Sequence, residues 1–407
     1  MSGQSGQSGQ SEAEIFYREL IGIFNSGPDK LENELIILEQ LATKFSNADE
    51  QTIYEIKVLM ETQFMRDVKC NYMYLLTPTP EKHGCDIREL IYNVAPEEMR
   101  NQILQEISVK PNKERIPHIL TDIDDTLFAS FNQFIETSGS DRSWTSKKPY
   151  PGIKLFYRMF HDNIAVEAGR YSTILTGTPL FLKENRMSST LLKEILGSNF
   201  GFMHGFDKKR HALYALLKGL YERPFYKLAV SSTEVAAVKF NKYKQYINIF
   251  PEYDILFIGD NGQGDLIAGK MMIKHDKNTL VFIHNLLRDD DFIFSPEKEE
   301  EEKRGTNGRL FFFKNYLELG YIFSTLGFIK KSDYTELRIA IAKEIKENIP
   351  SNCNLNDIKT CNERRKFSHY LCPNPAFPEY VCLTTASLRQ RAGTRRRQHR
   401  VRQTRRR

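Results

Sequence analysis

The pentapeptide DIDDT (residues 122–126) carries three carboxylates, and GDNGQGD (residues 259–265) carries two more, Asp260 and Asp265. In an extended strand, residues two apart project to the same side, so Asp122 and Asp124, at the end of the apolar run 116–122, face one way. Two carboxylates so placed can divide the work of group transfer, one ionised and nucleophilic, the other keeping a proton for the leaving oxygen. Either segment alone also reads as an acidic or glycine-rich turn capping a helix. Taken together they say more. A carboxylate about 4 Å from a single phosphate charge is repelled by roughly 4 kcal/mol at an effective dielectric of 20. Several aspartates facing a phosphate dianion would exclude it unless a divalent cation stood among them, and hard carboxylate oxygens with room for water suit Mg²⁺. The expected ligands are Asp122, the backbone carbonyl of Asp124, and Asp260, with Asp265 held close by.

Two further segments supply complementary groups. Thr176, Gly177 and Thr178 follow the run STIL, and a hydroxyl with neighbouring backbone N–H groups suits a phosphoryl oxygen. Thr126, closing the first motif, is grouped with Gly177 and Thr178 as substrate-contacting. Lys239, Lys242 and Lys244 open a helical stretch that ends at Phe250-Pro251, and one ammonium there would balance the nucleophile as a point charge. Lys239 is preferred; Lys242, one helical turn on, is its rival.

Such groups must be brought together by a scaffold. Short apolar runs at 116–122, 172–176, 228–231, 255–259 and 279–284 alternate with helical stretches, which predicts a mostly parallel sheet covered by helices on both faces. Ligands in such sheets lie beyond the carboxyl ends of the strands, where most of the motifs fall. Pro117 lacks an N–H, so the first strand is expected to begin after it. Residues 13–108 show apolar positions at helical spacing, among them Leu31, Leu35, Leu38 and Leu41, and predict a domain of four to six helices. Ser46 and Asp49 are its expected helix caps, and the Thr-Pro-Thr-Pro run at 77–80 breaks the pattern. The α/β domain is expected to span 112–348. Within it the charged stretch 288–308 reads as a solvated loop or insertion, and 310–329 as a closing strand and a packed helix. Residues 1–12 form a Ser/Gly/Gln low-complexity segment, 349–387 an irregular one, and 388–407 an Arg-rich disordered tail.

Composition narrows the class. The chain has 407 residues, 40% of them apolar and 27% charged, as expected of a globular protein with a substantial core. The net charge of +6 is local: removing the ten arginines of residues 388–407 leaves −4. That tail could meet anionic lipid or nucleic acid, although it lacks interleaved aromatics for base stacking. Six cysteines are too few for a disulfide scaffold of this length. Cys353, Cys361, Cys372, Cys382 and His369 lack the close CxxC pairs of structural zinc sites. No run reaches the roughly 18–20 apolar residues of a membrane span, and the polar N-terminus is no signal peptide. A cytoplasmic protein, peripheral to membranes if it acts on lipid, is expected.

The ordered set DIDDT, Thr176, Lys239 and GDNGQGD resembles that of haloacid-dehalogenase-type phosphatases. The segments TDIDDTL, YPGIKLFYRMF (150–160), TGTP, the lysine helix ending in Phe-Pro, and IGDNGQGD resemble the phosphatidate phosphatase catalytic domain of the fungal actin-patch protein family. The likeness covers about residues 113–329. It implies a Rossmannoid parallel sheet and Mg²⁺-dependent hydrolysis of a phosphomonoester through a phosphorylated Asp122. Asp124 would be the general acid and then the base, Thr176 and Lys239 would clamp the phosphoryl group, and Asp260 would bind Mg²⁺ with Asp265 in support. The substrate implied is phosphatidate or another lipid phosphate. The alternatives are a small soluble phosphomonoester, or a catalytically silent protein that binds membranes or nucleic acid.

Overall fold

The computed structural model describes residues 10–26, 30–68, 86–108, 115–129, 141, 143–144, 148–177, 189–203, 232–262, 264–288 and 291–348. The low-complexity residues 1–9, the 77–80 break, the run 228–231, Thr178, the cysteine-bearing segment and the Arg-rich tail lie outside them.

The N-terminal part is helical: α1 (Glu12–Asn25), α2 (Lys30–Asn47), α3 (Glu50–Thr62) and α4 (Glu97–Glu106), with short helical turns at 64–67 and 87–94. Asp49 caps α3, its side chain accepting from the Thr52 amide at 2.8 Å. Ser46 corrects its expectation. It lies inside α2 and donates back to the Ala42 carbonyl at 3.0 Å, the bond a serine makes when its helix continues past it. Leu38 and Leu41 are buried, whereas Leu31, at the start of the same stripe, is half exposed.

Six parallel strands follow: β1 (Ile116–Thr121), β2 (Thr173–Leu175), β3 (Gly201–Met203), β4 (Tyr253–Asp260), β5 (Leu280–His284) and β6 (Leu310–Phe313). Their order in the sheet is β3-β2-β1-β4-β5-β6. Alternating residues of the central strands feed two apolar layers. Ile255 and Phe257 face one layer with α7 (Ser232–Ile249), α8 (Asp265–His275) and the N-terminal helices, which share one continuous core with that side of the sheet. Leu256 and Ile258 face the other, with α5 (Ile153–Asn163), α6 (Ser189–Leu196), α10 (Tyr316–Thr325) and α11 (Lys331–Asn348).

Two expectations change here. β1 begins before Pro117, which pairs in register with Asp254. The amides of Ile116 and Asp122 both donate to the β4 side, so alternation turns the odd-numbered Pro117 nitrogen toward β2. β2 first pairs at Leu120, so no strand awaits the missing donor there. The charged stretch after β5 is an insertion before β6, and its described residues form more than a loop. It holds a short hairpin, Leu287–Arg288 with Asp291–Phe292, and helix α9 (Pro296–Lys303). Ser295 caps α9 and Pro296 opens it, while Lys298 pairs with Glu301 at 2.9 Å and Glu302 at 3.2 Å. Those caps were the legible signal under the charge.

Candidate metal centre

β1 and β4 lie side by side, and the strand order reverses between them, with β2 and β3 on one flank and β5 and β6 on the other. Asp122 continues β1 past its last strand residue, donating its amide to the Ile258 carbonyl at 2.9 Å, and Asp260 ends β4. The two motifs therefore open at the same rim, in the crevice where α/β sheets take their ligands.

Asp122, Asp260 and Asp265 are buried, and each contributes a carboxylate oxygen to a group lying within 4.8 Å of one another. Asp265 is the first residue of α8. A Cβ on Gly259 would stand 2.5 Å from Asp265 Oδ2, so the glycine lets that carboxylate fold back over the end of β4. Gly264, at φ +95°, makes the left-handed turn into α8 while passing against the Ser232 carbonyl, which brings the starts of α7 and α8 together. Lys239, two turns into α7, reaches between the acids: its Nζ is 3.0 Å from Asp122 Oδ1 and ion-paired with Asp265 Oδ1. Lys239 is 1% exposed, whereas Lys242 is half exposed. Burial is what separates the two rivals.

The charge does not balance. Among the described residues three carboxylates face one ammonium, a formal deficit of about two charges. Burial, with the neighbouring Asp265, Asp122 and Asp125 charges, pushes Asp260 well above the usual carboxylate range. Burial likewise raises Asp265, to about 7, against the pull of Lys239. Burial opposes the Lys239 ammonium, yet Asp122 and Asp265 outweigh it and hold that proton more firmly than usual. Asp260 Oδ1 accepts from the Gly262 amide, while its buried Oδ2 has no hydrogen-bond partner among the described residues. An orphaned carboxylate oxygen beside two more carboxylates is a hard, anionic donor set short of positive charge, and it fits a divalent cation such as Mg²⁺.

The other expected residues surround this group. Asp124 is half exposed, the most accessible acid of the two motifs, and its carboxylate stands outside the group of three. Thr176 is buried at the end of β2, its amide donating to the Met203 carbonyl at 3.3 Å. A Cβ on Gly177 would stand 3.5 Å from Lys239 Cε, so this loop runs against the stem of that lysine. Thr126 is buried, its carbonyl accepting from the Tyr316 hydroxyl at 2.9 Å, and its Oγ1 has no partner among the described residues. Asp125, passed over as a mere member of the acidic turn, is one of two described non-glycine residues at positive φ, at 54°. Its backbone and carboxylate are held by Asp141, Tyr150 and His284. Of these, only His284 had a legible signal, its place at the carboxyl end of a predicted strand.

No protein-family model matches the chain, and no curated protein matches it. Among solved structures, the 54 kDa signal recognition particle protein of Aeropyrum pernix K1 in complex with GDP is similar over 82% of this chain and 71% of that one. The identity is 13% and the TM-score 0.22, too weak a likeness to carry an argument.

Proposed function

We propose that the chain is a Mg²⁺-dependent phosphomonoester hydrolase of the haloacid-dehalogenase type, working through an aspartyl phosphate on Asp122. The observation that carries the reading is the convergence of Asp122, Asp260 and Asp265, with Lys239 among them, at the rim shared by β1 and β4.

Asp122 is the nucleophile. Its buried carboxylate, paired to Lys239, forms a bond to phosphorus as the ester P–O bond breaks. Asp124, the accessible acid of the motif, gives its proton to the departing alkoxide. It then takes a proton from water, whose oxygen attacks phosphorus and releases inorganic phosphate from Asp122. The Thr176–Gly177 segment and Lys239 hold the phosphoryl oxygens. Asp122, the Asp124 carbonyl and Asp260 would hold Mg²⁺, which offsets the negative charge of acids and phosphate when bound.

A lipid phosphate such as phosphatidate is the proposed substrate class, on the likeness of the motifs. No helix among the described residues is long and apolar enough to cross a membrane, so such a lipid would be met at a bilayer surface. The test is phosphate release from phosphatidate in vesicles and from soluble phosphomonoesters, with Mg²⁺ and with EDTA. Wild type should turn over only with Mg²⁺, and Asp122→Asn should lose at least about 10³-fold while melting normally. Activity confined to soluble esters would reassign the substrate. No Mg²⁺-dependent release from any of them would favour the silent binding protein.

A further inference from the structure

The acidic turn is held from behind by a second ring of buried residues that the proposed chemistry does not use. Asp125 sits at φ 54°, a conformation that costs a non-glycine residue energy unless its surroundings impose it. Those surroundings are specific. His284, the last residue of β5, brings Nδ1 to 2.7 Å from the Asp125 carbonyl oxygen. A carbonyl only accepts, so Nδ1 is the donor in this contact. The ring stacks on Phe313 at 5.1 Å, meets Tyr150 edge-on at 4.9 Å, and brings Nε2 to 3.2 Å from the Lys314 carbonyl oxygen. From the far side, the Asp141 amide donates to Asp125 Oδ1 at 3.3 Å. Asp141 is itself buried, accepting from the Leu287 amide at 2.9 Å, the Ser143 amide at 3.0 Å and the Tyr150 hydroxyl at 2.8 Å.

Segments distant in sequence thus converge on Asp125, which is itself neither a proposed ligand nor the proposed nucleophile. They hold the carbonyl and the carboxylate of Asp125, the residue next to Asp124, whose own carbonyl and carboxylate the chemistry needs. We propose that His284 is a positioning residue: with Asp141 it clamps Asp125 in its left-handed conformation and so aims Asp124. The inference rests on the phosphatase reading for the role of Asp124.

The test separates the hydrogen bond from the shape. His284→Phe keeps a flat ring against Phe313 and removes the donor, whereas His284→Asn can place an amide N–H where Nδ1 stood. With both variants melting cooperatively, His284→Phe should lower kcat about a hundredfold with KM little changed, and His284→Asn should recover most of that loss. Mn²⁺ binding, followed by electron paramagnetic resonance, should weaken about tenfold in His284→Phe and much less in His284→Asn. If both variants match wild type in kcat and Mn²⁺ affinity, or are equally impaired, the clamp is overturned while the phosphatase reading stands. If wild type releases no phosphate, that reading fails and the Mn²⁺ titrations alone decide the clamp.

Discussion

Two buried polar clusters flank α7, and they differ in kind. At the carboxyl rim of the sheet, among the described residues, three carboxylates share one ammonium and leave an oxygen without a partner. Farther down the same helix, Tyr246 joins a network of neutral groups. Its hydroxyl lies 3.0 Å from both His118 Nε2 and Thr173 Oγ1, and Thr173 is 3.3 Å from Glu61 on α3. Tyr253 bridges the hydroxyls of Tyr54 and Tyr171 at 3.1 Å each, and His118 lies flat on the Tyr253 ring at 4.2 Å. Burial raises Glu61 to about 8 and holds His118 well below its usual value, so at neutral pH both are uncharged. Burial and shifted titration are common to the two clusters, so neither marks function by itself. Composition separates them: the upper cluster is carboxylates around an ammonium, the lower one mostly hydroxyls and an imidazole. The lower network ties α3 to the sheet, although His118 Nδ1 has no partner among the described residues.

The sharpest way to break this contrast is to remove the lone cation of the upper cluster. Lys239→Met should cost about 3–5 kcal/mol at pH 7, as expected when one partner of a buried ion group is deleted. The loss should shrink in acid, where the carboxylates protonate, and should be partly reversed by millimolar Mg²⁺. Denaturant melts across pH, with and without Mg²⁺, would read both effects. If the two clusters are alike, Mg²⁺ will make no difference. A smaller effect is expected below. Thr173→Val leaves Tyr246 and Glu61 short of a partner and should cost about 1–3 kcal/mol, with any Mg²⁺-dependent rise in Tm unchanged.

The smallest effect concerns pH. Glu61 has its folded-state pKa raised, so below about 4.5 both states hold the proton and it adds no pH dependence. As pH climbs from there toward about 8, the unfolded chain releases that proton while the folded one keeps it, and stability falls through this window. Glu61→Gln should flatten that slope and lift Tm at pH 8 by about 3–5 °C, measured by calorimetry. A slope identical to that of wild type would show that Glu61 ionises freely in the folded state.

Much of the candidate site's layout was legible because it is local. The acids stand where apolar runs end, and short apolar runs between helical stretches announce a mostly parallel α/β sheet. Pro117 misled because its cost depends on whether a neighbouring strand has begun on that side, which no local pattern records. The charged stretch 288–308 was legible as an insertion between the last elements but its helix was not, because charge density hid a Ser-Pro start. Asp125 and Asp141 were invisible as a pair, since their partners His284, Leu287 and Tyr150 come from β5, the hairpin after it and the segment just before α5.

By itself, then, the sequence determined which chemical groups exist, that they end strands, and that acids near a phosphate would call for a cation, since side-chain type and backbone period are properties of neighbours along the chain. Tertiary structure alone decided that β1 and β4 are adjacent, that Lys239 and not Lys242 is drawn in between Asp122 and Asp265, and that His284 closes on Asp125. Strand order and helix docking are set by how whole faces pack, and packing is a matter of surfaces far apart in the chain.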